Sequence, residues 1–249
     1  MQIVFALVAL VVGFVLLVKG ADWFVEGSAG IANKFGIPQI VIGLTIVAMG
    51  TSMPEAAVSI SAALRGSAEI TIGNVVGSNI MNILVILGLT AVVCQIAVQK
   101  TTIHYEIPMV IGVTILLAVM GLQNNIISRA EGVILLACMV VYMLYLLRLA
   151  KRGVVENEEM DAYAKQVSFG RLILLVVVGV AAIIFGSHVA VEAASAIARI
   201  FGISERFIGL TIVAFGTSLP ELVTSVAAAR RGNSDIAVGN IVGSNLFNI

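Results

Sequence analysis

Long apolar segments separated by short polar stretches recur along the whole chain. As helices, these segments are long enough to cross the roughly 30 Å hydrocarbon layer of a bilayer, so they predict membrane spans. The predicted helices cover residues 2–32, 37–64, 70–97, 105–122, 128–149, 170–198 and 203–230, and an eighth begins near 235. The hydrophilic stretch Ala150–Ser168 separates the fifth helix from the sixth. We interpret it as a solvated loop.

The chain contains one sequence in two copies, which are 166 positions apart. Gly43–Glu55 reads GLTIVAMGTSMPE, and Gly209–Glu221 reads GLTIVAFGTSLPE. The copies stay in register from Gly20–Ile83 to Gly186–Ile249, and in the best-matching stretch about 60% of positions are identical. The sixth helix therefore repeats the first, and a full repeat has five crossings. Because five is odd, the second copy enters the membrane from the opposite side, with the binding site near the midplane.

These patterns predict an all-α polytopic membrane protein built as an inverted-topology repeat of five transmembrane helices each. Residues 1–149 would form the first repeat, 150–169 a linker and 170–249 the second repeat. By the same symmetry, the second repeat is truncated after the start of helix 8. We therefore expect a natural protein longer by about 70 residues.

Composition and charge agree with a helical membrane protein. The chain is 60% hydrophobic and 11% charged, and its mean hydropathy is +1.11. The first residues lack a basic start and a cleavage site, so they predict a helix and not a signal peptide. The Lys and Arg distribution predicts an N-terminus outside the plasma (cell inner) membrane and a cytoplasmic linker. Zero net charge suggests no nucleic-acid partner, and the isolated Cys94 and Cys138 predict no disulfide or metal site.

The repeated motif places oxygen atoms around an acid inside an apolar segment. Pro54 in GTSMPE has no amide hydrogen, which predicts a broken helix with free carbonyl groups around Ala48–Thr51. Thr51 and Ser52 add hydroxyl groups, and Glu55 adds a carboxylate one turn later. A carboxylate in hydrocarbon is costly and therefore marks a functional site. The second copy supplies the same groups in the same order: Ala214, Thr217, Ser218 and Glu221.

A second polar cluster follows each motif and reads GNVVGSN or GNIVGSN. Ser78 and Asn82 share one helical face, as do Ser244 and Asn248. These four side chains are candidate ion ligands or bridges between helices. Four other amides are interpreted as helix-packing groups: Asn74, Asn79, Asn240 and Asn245.

The two acids would face each other if the copies meet at the midplane. Neither motif contains Lys or Arg, so a proton or a cation has to relieve the repulsion between Glu55 and Glu221. Oxygen ligands select hard cations such as Na⁺ and Ca²⁺ over soft transition metals. The pair thus predicts a cation site. Weaker polar candidates near the ends of the first and sixth helices are interpreted as interfacial or loop-facing: Asp22, Glu26, His188 and Glu192.

The motifs GTSMPE, GTSLPE, GSNIMN and GSNLFN resemble the α-repeats of the sodium/calcium exchanger family, part of the cation/calcium antiporter superfamily. The resemblance covers both copies and implies a ten-helix fold, of which this chain holds the first seven helices and part of the eighth. It implies Na⁺/Ca²⁺ antiport by alternating access, with both glutamates shared by the competing ions. The family's ion ligands fall on Ala48, Thr51, Ser52, Glu55, Ser78, Ala214, Thr217, Ser218, Glu221 and Ser244, the two alanines acting through their carbonyls.

Asn82 and Asn248 match the central position of each family repeat. Some family members, including the potassium-dependent branch, have Asp at the second position, so Asn at both argues against potassium co-transport. The short linker has no room for the regulatory domain of animal exchangers, which suggests a prokaryotic-type member. The expected partners are Na⁺, Ca²⁺ and the lipid bilayer, with no cofactor.

Other functional classes remain open at this point. The same acids would serve an H⁺/Ca²⁺ antiporter or a K⁺-dependent Na⁺/Ca²⁺ antiporter. A cation channel and a structural membrane protein are the further alternatives. No hydrolase or nucleotide-binding motif is present in the sequence, so we expect no enzyme.

Overall fold

The computed structural model describes residues 2–124, 126–152 and 167–249, and these form helices without any strand. The elements are α1 Gln2–Phe35, α2a Gln39–Thr51, α2b Met53–Leu64, α3 68–93, α4 102–124, α5 Arg129–Arg152, α6 Phe169–Ile200, α7a 205–217, α7b Leu219–Arg230 and α8 Ser234–Asn248. Within these residues, five helices are long and apolar enough to span a membrane, or up to seven if each bent pair counts as one span. The predicted all-α polytopic fold is confirmed.

Most of the predicted linker 150–169 lies outside the described residues, which exclude 153–166. The residues before this gap continue α5 to Arg152. After it, Ser168 is the N-cap of α6, and its hydroxyl accepts a hydrogen bond from the Arg171 amide at 3.3 Å. A serine cap satisfies one of the free amides of the first turn, so α6 begins directly after it.

α1 and α6 make the most extensive helix contact and run antiparallel. Their closest approaches occur in opposite order along the two helices: Gly13 with Gly186, Gly20 with Gly179, and Gly27 with Leu172. A Cβ atom on Gly13, Gly20 or Gly27 would come within 2.7–2.9 Å of a backbone atom of α6. The two backbones can therefore approach this closely only because these positions lack side chains.

This contact is symmetric when each residue is exchanged for its repeat equivalent. Gly20 meets Gly179, and their equivalents Gly186 and Gly13 meet in the same way. Such reciprocal contacts indicate a two-fold axis between the copies. An antiparallel pair of equivalent helices is expected when two copies cross the membrane in opposite directions. The packing thus agrees with the inverted-topology repeat.

α2 and α7 are broken at the same position of the repeat. The halves of each meet at Ser52 or Ser218 with a bend of 50°. The following prolines lie in the first turn of α2b and α7b, where a missing amide hydrogen has little cost. Glu55 and Glu221 lie in the same first turns. There, the positive end of the half-helix dipole favours a carboxylate.

The Ala48 carbonyl at the break is not free, which corrects the prediction for this one residue of Ala48–Thr51. The Ala48 carbonyl accepts a hydrogen bond from the Ser52 amide at 3.0 Å, and Thr51 Oγ1 lies 3.3 Å from the same oxygen. The Ala214 carbonyl accepts one from Thr217 Oγ1 at 3.1 Å. The proline removes only its own amide, so the Ser52 amide still closes the last turn of α2a. A carbonyl oxygen has two lone pairs, however, so one that accepts a single bond retains capacity for an ion.

A π-helical turn precedes each break, at Gly43–Val47 and Gly209–Val213. The sequence analysis did not predict these turns. Single π turns within α-helices are frequent at functional sites, because the extra residue changes which side chains face a neighbour. The identical GLTIV letters in both copies are the signal that marks them.

Candidate ion-binding site

The two motifs are joined by reciprocal hydrogen bonds between the repeats. Ser52 Oγ donates to Glu221 Oε1 at 2.9 Å, and Ser218 Oγ donates to Glu55 Oε1 at 3.2 Å. Both glutamates are buried, with exposed fractions of 2% for Glu55 and 1% for Glu221. The structure therefore brings four of the predicted site residues into contact, and each carboxylate is held by the serine of the other copy.

Four buried oxygen atoms of the predicted site have no hydrogen-bond partner within the described part of the chain: Glu55 Oε2, Glu221 Oε2, Asn82 Oδ1 and Ser244 Oγ. A buried polar atom without a partner costs about 1–3 kcal/mol, and more when it is charged. A cation is a ligand that satisfies several oxygen atoms at once. These atoms thus have the chemistry of an oxygen-lined cation site.

The charge of the two glutamates is not balanced by basic side chains. Glu55 and Glu221 interact electrostatically with each other. The ion pairs seen in residues 2–124, 126–152 and 167–249 lie at exposed or half-exposed helix ends and involve neither glutamate. Two buried like charges need a compensating proton or cation, because burial removes the solvation that water provides.

The threonines of the two motifs lie near the glutamates in different environments. Thr51 is buried, faces Glu221, and donates to Asn240 Oδ1 at 3.0 Å. Thr217 is half-buried and faces Glu55. Likewise, Ala48 is buried whereas its equivalent Ala214 is exposed. The two halves of the predicted ligand set are therefore equivalent in sequence but not in surroundings.

The predicted residues of α3 and α8 meet at the interface between the repeats. Asn82 Nδ2 donates to Asn245 Oδ1 at 2.9 Å, and Asn248 Nδ2 donates to Asn79 Oδ1 at 3.1 Å. The amide groups thus form a reciprocal pair of bonds, like the serines and glutamates. Asn79 and Asn245, which the sequence analysis interpreted as packing residues, bridge the two helices here.

The two serines of these helices differ in their relation to the acids. Ser244 is completely buried and faces Glu221. Ser78 is also buried, at 6% exposure, but it forms no hydrogen bond with Glu55 in the described structure. Ser244 therefore lies beside a glutamate, whereas Ser78 has no hydrogen bond to one among the described residues.

Asn74 and Asn240 brace the half-helices that carry the acids. Asn74 Nδ2 donates to the Glu55 carbonyl at 3.0 Å and to Ser59 Oγ at 2.9 Å. The equivalent bonds of the second copy are 3.3 and 2.9 Å long and join Asn240 to Glu221 and Ser225. Neither Ser59 nor Ser225 is among the residues predicted for the site. The signal for them is the spacing Glu-x-x-x-Ser, which occurs in both copies.

The interface between α8 and α2a and its repeat equivalent between α3 and α7a differ in how closely their helices pack. Cβ atoms on Gly239 and Gly243 of α8 would lie 2.7–2.9 Å from atoms of α2a. Cβ atoms on the equivalent Gly73 and Gly77 of α3 would meet no described atom within 4 Å. The α8–α2a interface is therefore closed, while the equivalent α3–α7a interface is open.

A cavity of about 730 Å³ reaches the first of the two glutamates. Glu55, Ser59 and Asn74 line it on one side, Asn248 of α8 also contributes, and mostly apolar residues of α4 and α5 form the opposite wall. Glu221 does not line this cavity. The space beside Glu55 therefore combines a polar wall at the motif with an apolar wall behind it.

The weaker polar candidates lie away from the paired glutamates. Arg231 approaches Asp22 at 3.5 Å and Glu26 at 3.4 Å, and all three side chains are partly exposed. His188 and Glu192 are exposed and line a separate cavity between the ends of α1 and α6. The Arg231 contacts tie α1 to the end of α7b.

Comparison with known proteins matches nearly the whole chain. The family model described as sodium/calcium exchanger protein matches residues 5–148 and 171–249. The putative antiporter CaxA of Alkalimonas amylolytica is 41% identical over 248 residues, which cover 98% of this chain and 77% of that protein. The sodium/calcium exchanger MaX1 of Methanosarcina acetivorans is 34% identical over 281 residues, covering 96% and 79%. A solved structure of the sodium-calcium exchanger NCX_Mj, soaked with 10 mM Na⁺ and no Ca²⁺, has a TM-score of 0.84 at 35% identity and covers 99% of this chain and 80% of its own.

Proposed function

Because the chain belongs to the sodium/calcium exchanger family, we propose that it exchanges Na⁺ for Ca²⁺ across the membrane, with Glu55 and Glu221 shared by the competing ions. Family membership supports antiport of a cation against Ca²⁺ by a multi-pass membrane protein. The choice of Na⁺ and the roles of individual residues go beyond it. The matched proteins are named as transporters and exchangers, so we propose transport and not catalysis.

The observation that carries this proposal is the set of unpartnered buried oxygen atoms around the paired glutamates. One carboxylate oxygen of each glutamate receives a serine hydroxyl, and the other has no partner in the described residues. Ca²⁺ takes six to eight oxygen ligands, at roughly 2.3–2.6 Å. Carboxylates, hydroxyls and carbonyls of both motifs are of the kind it requires.

Charge balance explains how one site could couple the two fluxes. Two ionised carboxylates match the charge of one Ca²⁺, and they also match two Na⁺ ions. Either load relieves the repulsion between Glu55 and Glu221, so the two ions compete for the same oxygen atoms. Without a bound cation, the two carboxylates are an uncompensated buried charge. This charge disfavours the conformational change that would turn the empty site to the other side of the membrane. Exchange follows because the site changes the side to which it is open only when it holds Ca²⁺ or Na⁺.

The difference between the two repeat-related interfaces supports alternating access. α8 packs closely onto α2a at Gly239 and Gly243, whereas Gly73 and Gly77 of α3 have no described atom within 4 Å of an added Cβ. In an inverted repeat, exchange of the two conformations between the copies gives the same molecule open to the other side. The antiparallel pair α1–α6 provides a continuous surface along which the motif helices could shift. With the N-terminus outside, the open interface faces the exterior.

Flux through proteoliposomes tests the proposal. Vesicles with the wild-type protein and an outward Na⁺ gradient should accumulate ⁴⁵Ca²⁺, and Glu55→Gln and Glu221→Gln should each abolish uptake, because each removes a shared charge. Glu69→Gln is the matched control, since Glu69 is an exposed acid of α3, and it should retain uptake.

The same vesicles distinguish the rival functions. Uptake driven by a pH gradient without Na⁺ would replace the proposal with H⁺/Ca²⁺ antiport, and a requirement for K⁺ would indicate a K⁺-dependent exchanger. Flux that ignores the counter-ion would indicate a channel. Normal Na⁺-driven uptake by both glutamine variants would exclude these acids as the shared ligands.

A further inference from the structure

A second group of buried oxygen atoms lies between α4 and α5, apart from the paired glutamates. Thr102 and Glu106, in the π-helical first turn of α4, are completely buried. Tyr142 of α5 is 1% exposed, and the half-buried Tyr145 donates its hydroxyl to Glu106 Oε1. Glu106 is thus a third buried carboxylate of the membrane region, and the proposed transport mechanism does not use it.

Three oxygen atoms of this group lack a hydrogen-bond partner among the described residues: Glu106 Oε2, Thr102 Oγ1 and the Tyr142 hydroxyl. Thr102 and Glu106 are four residues apart on α4, and Tyr142 and Tyr145 are three apart on α5, so each pair shares one helix face. Tyr142 and Glu106 are close enough to interact electrostatically. The two faces therefore place their unpartnered oxygen atoms in one region between the helices.

Among the described residues, this group lies beside apolar side chains and has no basic partner in an ion pair. Tyr142 packs in an apolar cluster with residues of α2a, α4, α5 and α8: Ile40, Val41, Leu44, Val110, Leu146 and Leu246. Glu106 forms no ion pair with a basic residue in the described part of the chain. A buried ionised carboxylate with a single neutral hydrogen-bond donor is costly, and a compensating positive charge removes that cost.

We propose that Glu106, Thr102, Tyr142 and Tyr145 bind one Na⁺ ion at a site separate from the paired glutamates. All four side chains offer oxygen, which favours a hard cation. One carboxylate balances one monovalent charge, whereas Ca²⁺ would leave an unbalanced positive charge in an apolar environment. A sodium ion also satisfies several unpartnered oxygen atoms at once, which a single proton on Glu106 cannot do.

The position of this site suggests a stabilising role and not a step in transport. Tyr142 of this site packs in the same apolar cluster as Ile40 and Val41 of α2a, the half-helix onto which α8 closes. Bound Na⁺ would hold α4 and α5 together behind that half-helix. It would therefore stabilise the packing of the closed interface without meeting the ions that pass the paired glutamates.

The test uses the Glu55→Gln/Glu221→Gln double variant, in which the paired site has lost both charges. Its thermal unfolding in detergent is followed as NaCl replaces choline chloride at constant ionic strength. We expect the unfolding temperature to rise with Na⁺ and to saturate. Adding Glu106→Gln should abolish the rise, and adding Tyr142→Phe or Thr102→Val should raise the half-saturating Na⁺ concentration about tenfold.

Matched controls separate loss of the ion from general damage. Glu69→Gln removes an exposed acid and Tyr105→Phe an exposed tyrosine hydroxyl, and both should leave the Na⁺ response unchanged. If Glu106→Gln does not fold, the Tyr142→Phe and Thr102→Val variants still test the site. Because the double variant lacks the paired carboxylates, the result is independent of the transport proposal.

Three results would overturn the inference. The double variant could show no Na⁺-dependent stabilisation, or its stabilisation could persist unchanged in the Glu106→Gln, Tyr142→Phe and Thr102→Val variants. Stabilisation by low pH alone, with no response to Na⁺, would show that Glu106 takes up a proton instead of the ion.

Discussion

Each glutamate at the repeat interface divides its two carboxylate oxygen atoms between two roles. Oε1 receives the hydroxyl of a serine from the other copy, which fixes the orientation of the carboxylate. Oε2 has no partner among the described residues and so remains for a ligand. Asn74 and Asn240 hold the backbone of the same glutamates from behind. If an ion binds here as we propose, the carboxylates are already oriented for it, which lowers the cost of binding.

The serine–glutamate bond leads to a prediction for Ser52. A hydrogen bond to a charged acceptor contributes about 1.5–3 kcal/mol, and part of that contribution is recovered when another donor replaces the hydroxyl. We expect Ser52→Ala to raise the half-saturating Ca²⁺ concentration about tenfold, as measured by ⁴⁵Ca²⁺ uptake at increasing Ca²⁺. Ser61→Ala removes an exposed hydroxyl from α2b, the half-helix that follows Ser52. It should leave the half-saturating Ca²⁺ concentration unchanged. Equal half-saturating Ca²⁺ concentrations for Ser52→Ala and Ser61→Ala would contradict the role of Ser52 in orienting Glu221.

At the scale of helices, the antiparallel pair α1–α6 depends on glycines that let two backbones approach. The contacts of Gly13, Gly20 and Gly27 follow one another at seven-residue intervals along α1. This interval returns each glycine to nearly the same helix face. Close packing of small residues is a main source of attraction between helices in a membrane, where lipid is as apolar as the side chains. The pair therefore forms a continuous contact instead of isolated ones.

This packing predicts opposite effects for two glycine substitutions. Gly20→Ala would place its Cβ 2.9 Å from the Gly179 carbonyl oxygen, and overpacking of this kind costs about 1–3 kcal/mol. Gly112→Ala, at a position of α4 with no described atom within 4 Å of the added carbon, should be neutral or stabilising by up to ~1 kcal/mol. Thermal unfolding in the same detergent measures both variants. A lower unfolding temperature for Gly112→Ala than for Gly20→Ala would contradict the assigned packing.

At the scale of the whole molecule, equivalent positions of the two repeats have unequal environments. The α8–α2a interface is closed and the α3–α7a interface is open, although the contacting residues are repeat equivalents. A single set of contacts cannot be satisfied in both copies while one side of the site stays accessible. The asymmetry between the copies is therefore the structural difference that an alternating-access cycle would exchange.

This difference predicts a variant that folds but does not transport. Gly77→Leu has space in the observed conformation, because no described atom lies within 4 Å of its Cβ. In the exchanged conformation the same position would be as crowded as Gly243, whose Cβ would lie 2.7 Å from the Ala48 Cβ. We expect normal unfolding temperature and Ca²⁺-dependent stabilisation, with ⁴⁵Ca²⁺ exchange lost.

Two comparisons check that result. Gly112→Leu adds the same bulk at an open position of α4 outside both interfaces, and it should keep its transport activity. Gly243→Leu should lower the unfolding temperature, because its interface is closed in the observed structure. Full exchange activity of Gly77→Leu would show that the α3–α7a interface does not need to close.

Much of the helical arrangement follows from the sequence because its causes are local or repetitive. Apolar segments long enough for the bilayer predict the helices, and the structure changes their ends by a few residues. Pro54 predicts the break in α2, since a missing amide affects its own helix. The π turns and the occupied Ala48 carbonyl were not predicted, because both depend on how the preceding turns are closed.

The sequence by itself determined that two copies of an oxygen-rich motif are present and that five predicted crossings in the first copy invert the second. This follows from register and length, which require no knowledge of contacts. Only the tertiary structure decided which oxygen atoms bind one another and which remain for an ion, because Ser52 reaches Glu221 across 169 positions of sequence. It also decided that one interface is closed and its equivalent is open. The glycines at both interfaces are the same residue type at equivalent positions, so the repeat pattern alone does not predict which interface is closed.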